Sequence, residues 1–313
     1  MMARGRIYNV IATEEELEKV NERNMELWRG WEMYLKTASK SPGTIKNYKS
    51  DVVNFFFGWL MKYRDNKFFG DIVPKDILLF QNYIMEDLGL NNNRVRRIKD
   101  SLSSFSNYVV EFEDIDGFEN IIRVVPSPKR IYRLQEPTIF TDEDIKTLFE
   151  GMIHNYYYQD ACALAMILYG GLRKTDIVKI KADWFDKYDI EGDLYKSPEM
   201  ITTKGDKEVF VYILKKECDR WLYLWKKERK KLMKKQIFAP SGEEYLFIHR
   251  HDGRWRQMSK DYVTAIQHRA NKVLKENGIE KEFTFEEGRK YYYGYIERTV
   301  KDEKVLKMLK NNM

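Results

Sequence analysis

Ile45, Tyr48, Val52, Phe55 and Trp59 stand at steps of three and four. That spacing gathers all five on one side of an α-helix and would scatter them over both faces of a strand. The same period returns in Leu17, Val20, Met25, Leu27, Trp28, Trp31, Met33 and Leu35, which predicts one helix over 15–36. It returns again in Ile77, Phe80, Tyr83 and Ile84, and in Val95, Ile98, Leu102, Phe105 and Val109. Four amphipathic helices, each with one face to bury, predict a small helical domain over residues 1–125. The helix breaks agree: Ser41-Pro42-Gly43 separates the first two, Pro74 suits a first-turn position, and the fourth opens near Asn92.

From Val125 the period lapses. Pro126, Pro128 and Pro137 bracket the basic run Lys129-Arg130-Ile131-Tyr132-Arg133. Proline disfavours helix in itself and in the residue before it, so 126–137 is expected to be a basic linker and 138–313 a second domain. Thr141, followed by Asp142, Glu143 and Asp144, is an N-cap with an acidic first turn. Ala161, Leu164, Ala165 and Leu168 then carry a buried helix up to Gly170-Gly171. The β-prone runs Met200–Thr203 and Glu208–Ile213 flank Lys204-Gly205-Asp206-Lys207 and predict a hairpin. Long helices follow over 215–235 and around 262–277. The expected fold class is mainly α with a small antiparallel β-sheet.

A hydrophobic fraction of 43% and an aromatic fraction of 14% exclude a disordered chain. No run approaches the roughly 18 apolar residues of a membrane span, and the N-terminus lacks the apolar core of a signal peptide. Cys162 and Cys218 sit among apolar or helical neighbours, as buried thiols in a reducing compartment do. A soluble cytoplasmic, nucleoid-associated protein is expected, with no membrane partner and no cofactor. His154, His249, His251 and His268 show no metal-ligand spacing, and His249-Arg250-His251 is expected in a loop. The net charge of +6, from 55 Lys+Arg against 49 Asp+Glu, permits nucleic-acid binding only where the positive charge is clustered.

One such place is Gly170-Gly171-Leu172-Arg173-Lys174-Thr175-Asp176-Ile177, where two glycines end a helix and set an arginine on a turn. Lys204 follows on the predicted hairpin, and Phe283-Thr284-Phe285-Glu286-Glu287-Gly288-Arg289 opens a later helix. In this order the chain resembles the tyrosine recombinase (phage integrase) family over nearly its whole length. Arg173 matches the first arginine, Lys204 the hairpin lysine, and Arg289 the second arginine of the family's His-x-x-Arg motif. The resemblance implies a helical core-binding domain and a catalytic-type domain. It also implies a scissile phosphate held by two arginines, with the lysine as general acid toward the leaving oxygen. Two guanidiniums suit that task because they neutralise non-bridging oxygens bidentately as charge builds at phosphorus.

The departures shape the functional expectation. Glu286 stands where the family has histidine, and Leu309-Lys310-Asn311 falls where it has Leu-Gly-His. The family's nucleophilic tyrosine would lie beyond Met313. Tyr291, Tyr292, Tyr293 and Tyr295 follow Arg289 too closely for easy in-line attack on a phosphate that Arg289 holds, and read as packing residues. The resemblance thus implies vestigial positions Arg173, Lys204, Glu286, Arg289 and Asn311 in a protein that binds specific duplex DNA without recombining it. A recombinase-fold repressor maintaining a prophage, of the SP-beta type, is the expected role. An active recombinase with its tyrosine past Met313 and an accessory DNA-bridging factor remain the alternatives.

Beside Arg173, Lys204 and Arg289, the expected DNA contacts lie on the helical domain. Lys46, Asn47 and Lys49 oppose the apolar stripe of the second helix. Asn93, Arg94, Arg97, Ser101 and Ser104 oppose that of the fourth, and Lys129, Arg130 and Arg133 lie in the linker. The run Lys226-Lys227-Glu228-Arg229-Lys230-Lys231, with Lys234-Lys235, reads as a solvated helix face away from the motif. The expected partner is double-stranded DNA, with weak self-association on it.

Overall fold

The computed structural model describes residues 11–131, 139–186 and 190–310. The chain divides into two compact units, Met1–Leu134 and Gln135–Met313.

In the first unit Thr13 accepts from the Glu16 amide while the Glu16 carboxylate accepts from the Thr13 amide at 2.7 Å, a reciprocal cap that starts α1 (Glu14–Leu17). The single helix expected over 15–36 is two helices. Asn21 caps α2 (Glu22–Thr37), and its backbone and side chain also bond Asn66 at 2.8 and 3.0 Å, which pins the chain at a break between them. α3 (Pro42–Lys49) runs through a wide π segment, Ser50–Phe57, into α4 (Gly58–Tyr63). The i→i+5 register of that segment turns three consecutive rings, Phe55, Phe56 and Phe57, into the core. α5 (Pro74–Asn82) ends in a second π turn, Tyr83–Asp87, and α6 (Asn92–Phe112) follows. Phe105 joins the core from α6, with ring centroids 5.1 Å from Trp31 and 5.8 Å from Phe57.

In the second unit α7 (Asp142–His154) and α8 (Tyr158–Leu168) precede the short α9 (Lys174–Ile177). Every residue of α8 from Asp160 to Leu168 is buried, so α8 is the axis on which the unit packs. Asp160, the one charged residue in that stretch, meets Arg269 in a two-point ion pair with Nη2 to Oδ1 at 3.0 Å. β1 (Ile190–Glu191), β2 (Leu194–Thr202) and β3 (Glu208–Leu214) form an antiparallel sheet in that order, with Leu194 opposite Leu214 and Thr202 opposite Glu208. α10 (Lys215–Lys235) and α11 (Pro240–Glu244) come next.

Among the described residues two antiparallel sheets are present where one was expected. β4 (Ile248–His251) and β5 (Arg254–Gln257) form the second. His249, Arg250 and His251 therefore lie in a strand and not in a loop. The cause is Asp252-Gly253, whose φ angles of 48° and 75° make the two-residue turn that closes a tight hairpin. α12 (Lys260–Glu276), α13 (Phe285–Thr299) and α14 (Glu303–Lys310) complete the unit, α13 packing on α8. Among the described residues no helix is long and apolar enough to cross a membrane. Cys162 and Cys218 are buried free thiols.

Candidate nucleic-acid interface

The turn after α8 needs both of its glycines. A side chain at Gly170 would meet Ile213 at 2.5 Å and the Met166 carbonyl oxygen at 2.8 Å. Gly171 has a φ of 66° and the Tyr292 ring 2.4 Å from where a Cβ would sit, so only glycine fits. The chain leaves this turn extended at Arg173, which precedes α9.

Around that turn an arginine and a lysine flank one buried carboxylate. Arg173 Nη1 lies 3.9 Å from Asp176 Oδ2, and Lys179 Nζ lies 4.0 Å from Oδ1 of the same group. Arg289, on α13, donates its Nε to the Gly171 carbonyl at 2.9 Å. Burial pushes the Asp176 carboxyl above the usual carboxylate range, against the pull of Lys179, Arg173 and Arg289. Burial also lowers the pKa of Arg289, and the like charge of Arg173 lowers it further. Two half-buried guanidiniums thus stand close enough to repel each other beside one buried carboxylate. Paired guanidiniums of this kind suit an oxyanion, whose oxygens match their planar fork.

Lys204 is exposed at the tip of the β2–β3 hairpin, where Gly205 and Asp206 have φ of 83° and 58°. Lys179 docks that hairpin beside the arginine turn: its ammonium donates to the carbonyl of Thr202, two residues before Lys204. Gln257, on β5, donates to the Val178 carbonyl at 2.8 Å and braces α9 from the other side. Neither residue was singled out in the sequence. Lys179 left a trace, three residues after Asp176 on a helical turn, whereas Gln257 left none. Glu286 is exposed, and its charge favours the protonated form of Arg289. Asn311 lies outside the described residues.

Three of the four tyrosines of α13 are held by their hydroxyls. Tyr291 donates to Asp142 at 2.7 Å, Tyr292 to the Leu309 carbonyl at 3.1 Å, and Tyr295 to Glu217 at 2.9 Å. Burial, then the acceptor carboxylate, pushes the hydroxyls of Tyr291 and Tyr295 well above the usual phenol value. Tyr293 is half-buried on the same helix as Arg289.

The first unit gathers its own basic surface. Lys46, Asn47 and Lys49 are exposed on α3. Two residues on, Asp51 is fully buried and pairs with Arg94 at 2.6 Å and Arg97 at 3.5 Å on α6. It also accepts from the Ser101 hydroxyl at 2.8 Å. Ser101 thus does not face outward with Arg97; it is buried as a partner of Asp51, and Arg94 is largely covered as well. Asn92, Asn93 and Arg96 donate to the carbonyls of Lys129, Ile131 and Pro128 at 2.9, 2.8 and 3.0 Å. The described part of the expected linker, 126–131, is therefore strapped along the start of α6, with Lys129 and Arg130 exposed. Arg133 lies outside the described residues.

No family model matches the chain. It is 24% identical over 258 residues to the SPbeta prophage-derived recombinase-like protein YomM of Bacillus subtilis (strain 168), covering 80% of this chain and 73% of that one. Among solved structures, lambda integrase bound to DNA aligns over 91% of this chain and 90% of its own, with 16% identity and a TM-score of 0.60. The XerH site-specific recombinase bound to its difH substrate aligns over 95% and 77%, with 16% identity and a TM-score of 0.57. A Tn1549 transposon integrase in complex with circular intermediate DNA covers 91% and 90% at 12% identity and a TM-score of 0.55. The fold of this chain is that of the tyrosine recombinases and integrases.

Proposed function

We propose that this recombinase-fold chain binds specific duplex DNA and grips a backbone phosphate between Arg173 and Arg289 without cutting it, acting as a regulator of phage or prophage genes. One observation carries the reading: Arg173, 3.9 Å from the buried Asp176, and Arg289, tied to the Gly171 carbonyl, stand at one turn from separate elements, a cationic pair fit for one phosphate. Lys46, Asn47, Lys49, Arg97, Lys129 and Arg130 on the first unit would then set register on the duplex through phosphates and base edges. Binding without cleavage is supported by Tyr291, Tyr292 and Tyr295 of α13, whose hydroxyls are already engaged. The prophage origin of the Bacillus subtilis relative agrees with a place among phage or prophage genes.

An active strand-transfer recombinase is the second reading, favoured by Lys204 standing exposed on a hairpin docked beside the arginine turn. Selection of a preferred duplex from a genomic library, then incubation with a nicked suicide form of the winner, separates the two. The proposal expects a tight complex and no covalent protein–DNA adduct. An adduct stable to denaturant would establish the recombinase instead.

A further inference from the structure

The basic residues of α10 sort by face. Lys226 donates to the carbonyls of Trp184 and Phe185, and the buried Arg229 gathers the carbonyls of Gly242, Glu243 and Tyr245 at 2.5, 2.8 and 3.0 Å. Those two cations serve the interior. Lys216, Arg220, Lys227, Lys230 and Lys234 are exposed, and their helical positions align them on one side, with exposed Tyr223 between Arg220 and Lys227. At 1.5 Å per residue the stripe is about 27 Å long and straight.

The stripe is also unneutralised. The acids of α10 are engaged elsewhere: Glu217 accepts from Tyr295, Asp219 from Tyr195 and Lys215, and Glu228 from Lys231. None of the five stripe cations pairs with a carboxylate among the described residues. The opposite face of α10, with Cys218, Leu222 and Trp225, is buried, Cys218 against the Ala165 carbonyl of α8. α13, which carries Arg289, packs on α8 through Gly288 and Ile167. The stripe thus points away from α8 and shares no side chain with the arginine pair.

We propose that the α10 stripe is a second surface for duplex DNA, blind to sequence, through which one molecule holds a second segment of DNA. Of the reading above it takes only duplex DNA as the partner. A row of like charges spaced by one turn of about 5.4 Å, or two across Tyr223, meets a phosphate ridge without needing any one register. Charge alone gains only about 1 kcal/mol per basic residue at an anionic lipid surface, and the apolar face of α10 that would anchor it there is spent in the core. A protein partner would require buried aromatic or aliphatic anchors, whereas Tyr223 stands capped by Lys227, whose ammonium is 5.7 Å from the ring centroid.

The test is a capture assay with the full chain. A selected duplex on beads retains the protein, and a labelled duplex of random sequence is offered at low and moderate salt. Wild type is expected to retain the label. A variant with Lys216, Arg220, Lys227, Lys230 and Lys234 changed to Gln is expected to bind the beads as wild type does but to lose the label. On the random duplex, its slope of log affinity against log salt should flatten by about four. These exposed positions leave the fold intact, which an unchanged thermal midpoint verifies. Equal capture by wild type and variant overturns the inference and leaves the stripe to an acidic protein or to solvent. Failure of wild type to bind the bead duplex overturns the proposed function as well, so the two failures are told apart.

Discussion

Arg289 donates its Nε to the carbonyl oxygen of Gly171 at 2.9 Å, tying α13 to the turn from which Arg173 emerges. The two residues are 118 positions apart within the second unit, and a backbone acceptor fixes the guanidinium without neutralising it. Among the described residues the Nη groups of Arg289 make no hydrogen bond and stay available to an anion. That distinguishes this arginine from Arg229, whose Nη2 is occupied by three carbonyls.

Replacing Arg289 or Arg173 by Ala should therefore act on DNA more than on stability. Loss of a charge-assisted contact, worth about 1.5–3 kcal/mol, corresponds to roughly 10- to 100-fold in affinity for the selected duplex. Each substitution should also reduce the salt slope by about one, for one fewer phosphate contact. Fluorescence anisotropy across a salt series measures both. A loss of affinity with an unchanged slope would place the arginine away from phosphate.

Gly171→Ala should damage fold and binding together. The residue would have to hold a φ of 66° and drive its Cβ into the Tyr292 ring, whose hydroxyl is itself bonded to the Leu309 carbonyl. Positive-φ strain alone costs on the order of 1–3 kcal/mol, and the clash adds to it. Chemical denaturation should report at least that loss. Affinity should fall too, because the same carbonyl positions Arg289.

Helix positions and the mainly α class were legible because apolar residues repeat at a helical period, which survives in any window of the chain. The hairpin at Lys204 was legible for a similar reason: a glycine turn sits between two β-branched runs. What escaped was every polar residue whose role is set by a distant partner. Ser101 has the spacing of an outward-facing residue, yet it is buried because Asp51, fifty positions away, accepts its hydroxyl. The α10 run looked uniformly solvated, yet Lys226 and Arg229 turn inward to carbonyls supplied by the loop after Ala182 and by α11 and the residue after it. Periodicity reports which side of a helix is apolar. It is silent on a buried polar group whose hydrogen bonds come from another element.

Asp76 gives the first unit an acid-sensitive brace. Burial pushes its carboxyl up, but hydrogen bonds from Lys67, the Val73 amide and Arg64 outweigh burial and hold its pKa below the usual carboxylate value. A depressed folded-state pKa contributes stability that is fully present above the unfolded value, about 3.9, and lost as pH falls through the folded one. Urea midpoints should accordingly drop below about pH 4 in wild type. Asp76→Asn should lower the midpoint at neutral pH and flatten the acid limb. An unchanged limb would show that Asp76 does not control it.

Asp51 and Arg97 should separate stability from binding within one ion-paired cluster. Asp51 is fully buried, and its removal leaves the largely covered Arg94 without a counter-charge. Breaking a buried pair from one side costs about 3–5 kcal/mol, so Asp51→Ala should shift the unfolding midpoint of the first unit strongly. Arg97 is half exposed, and its nitrogen is 3.5 Å from Asp51, a looser pair than Arg94 makes. Arg97→Ala should therefore change stability by about 1 kcal/mol or less. If its free edge meets DNA, the same substitution lowers affinity for the selected duplex several-fold at low salt. Denaturation and anisotropy on the two variants read these effects independently. An Arg97→Ala protein that unfolds as easily as Asp51→Ala would make the cluster purely structural and remove Arg97 from the interface.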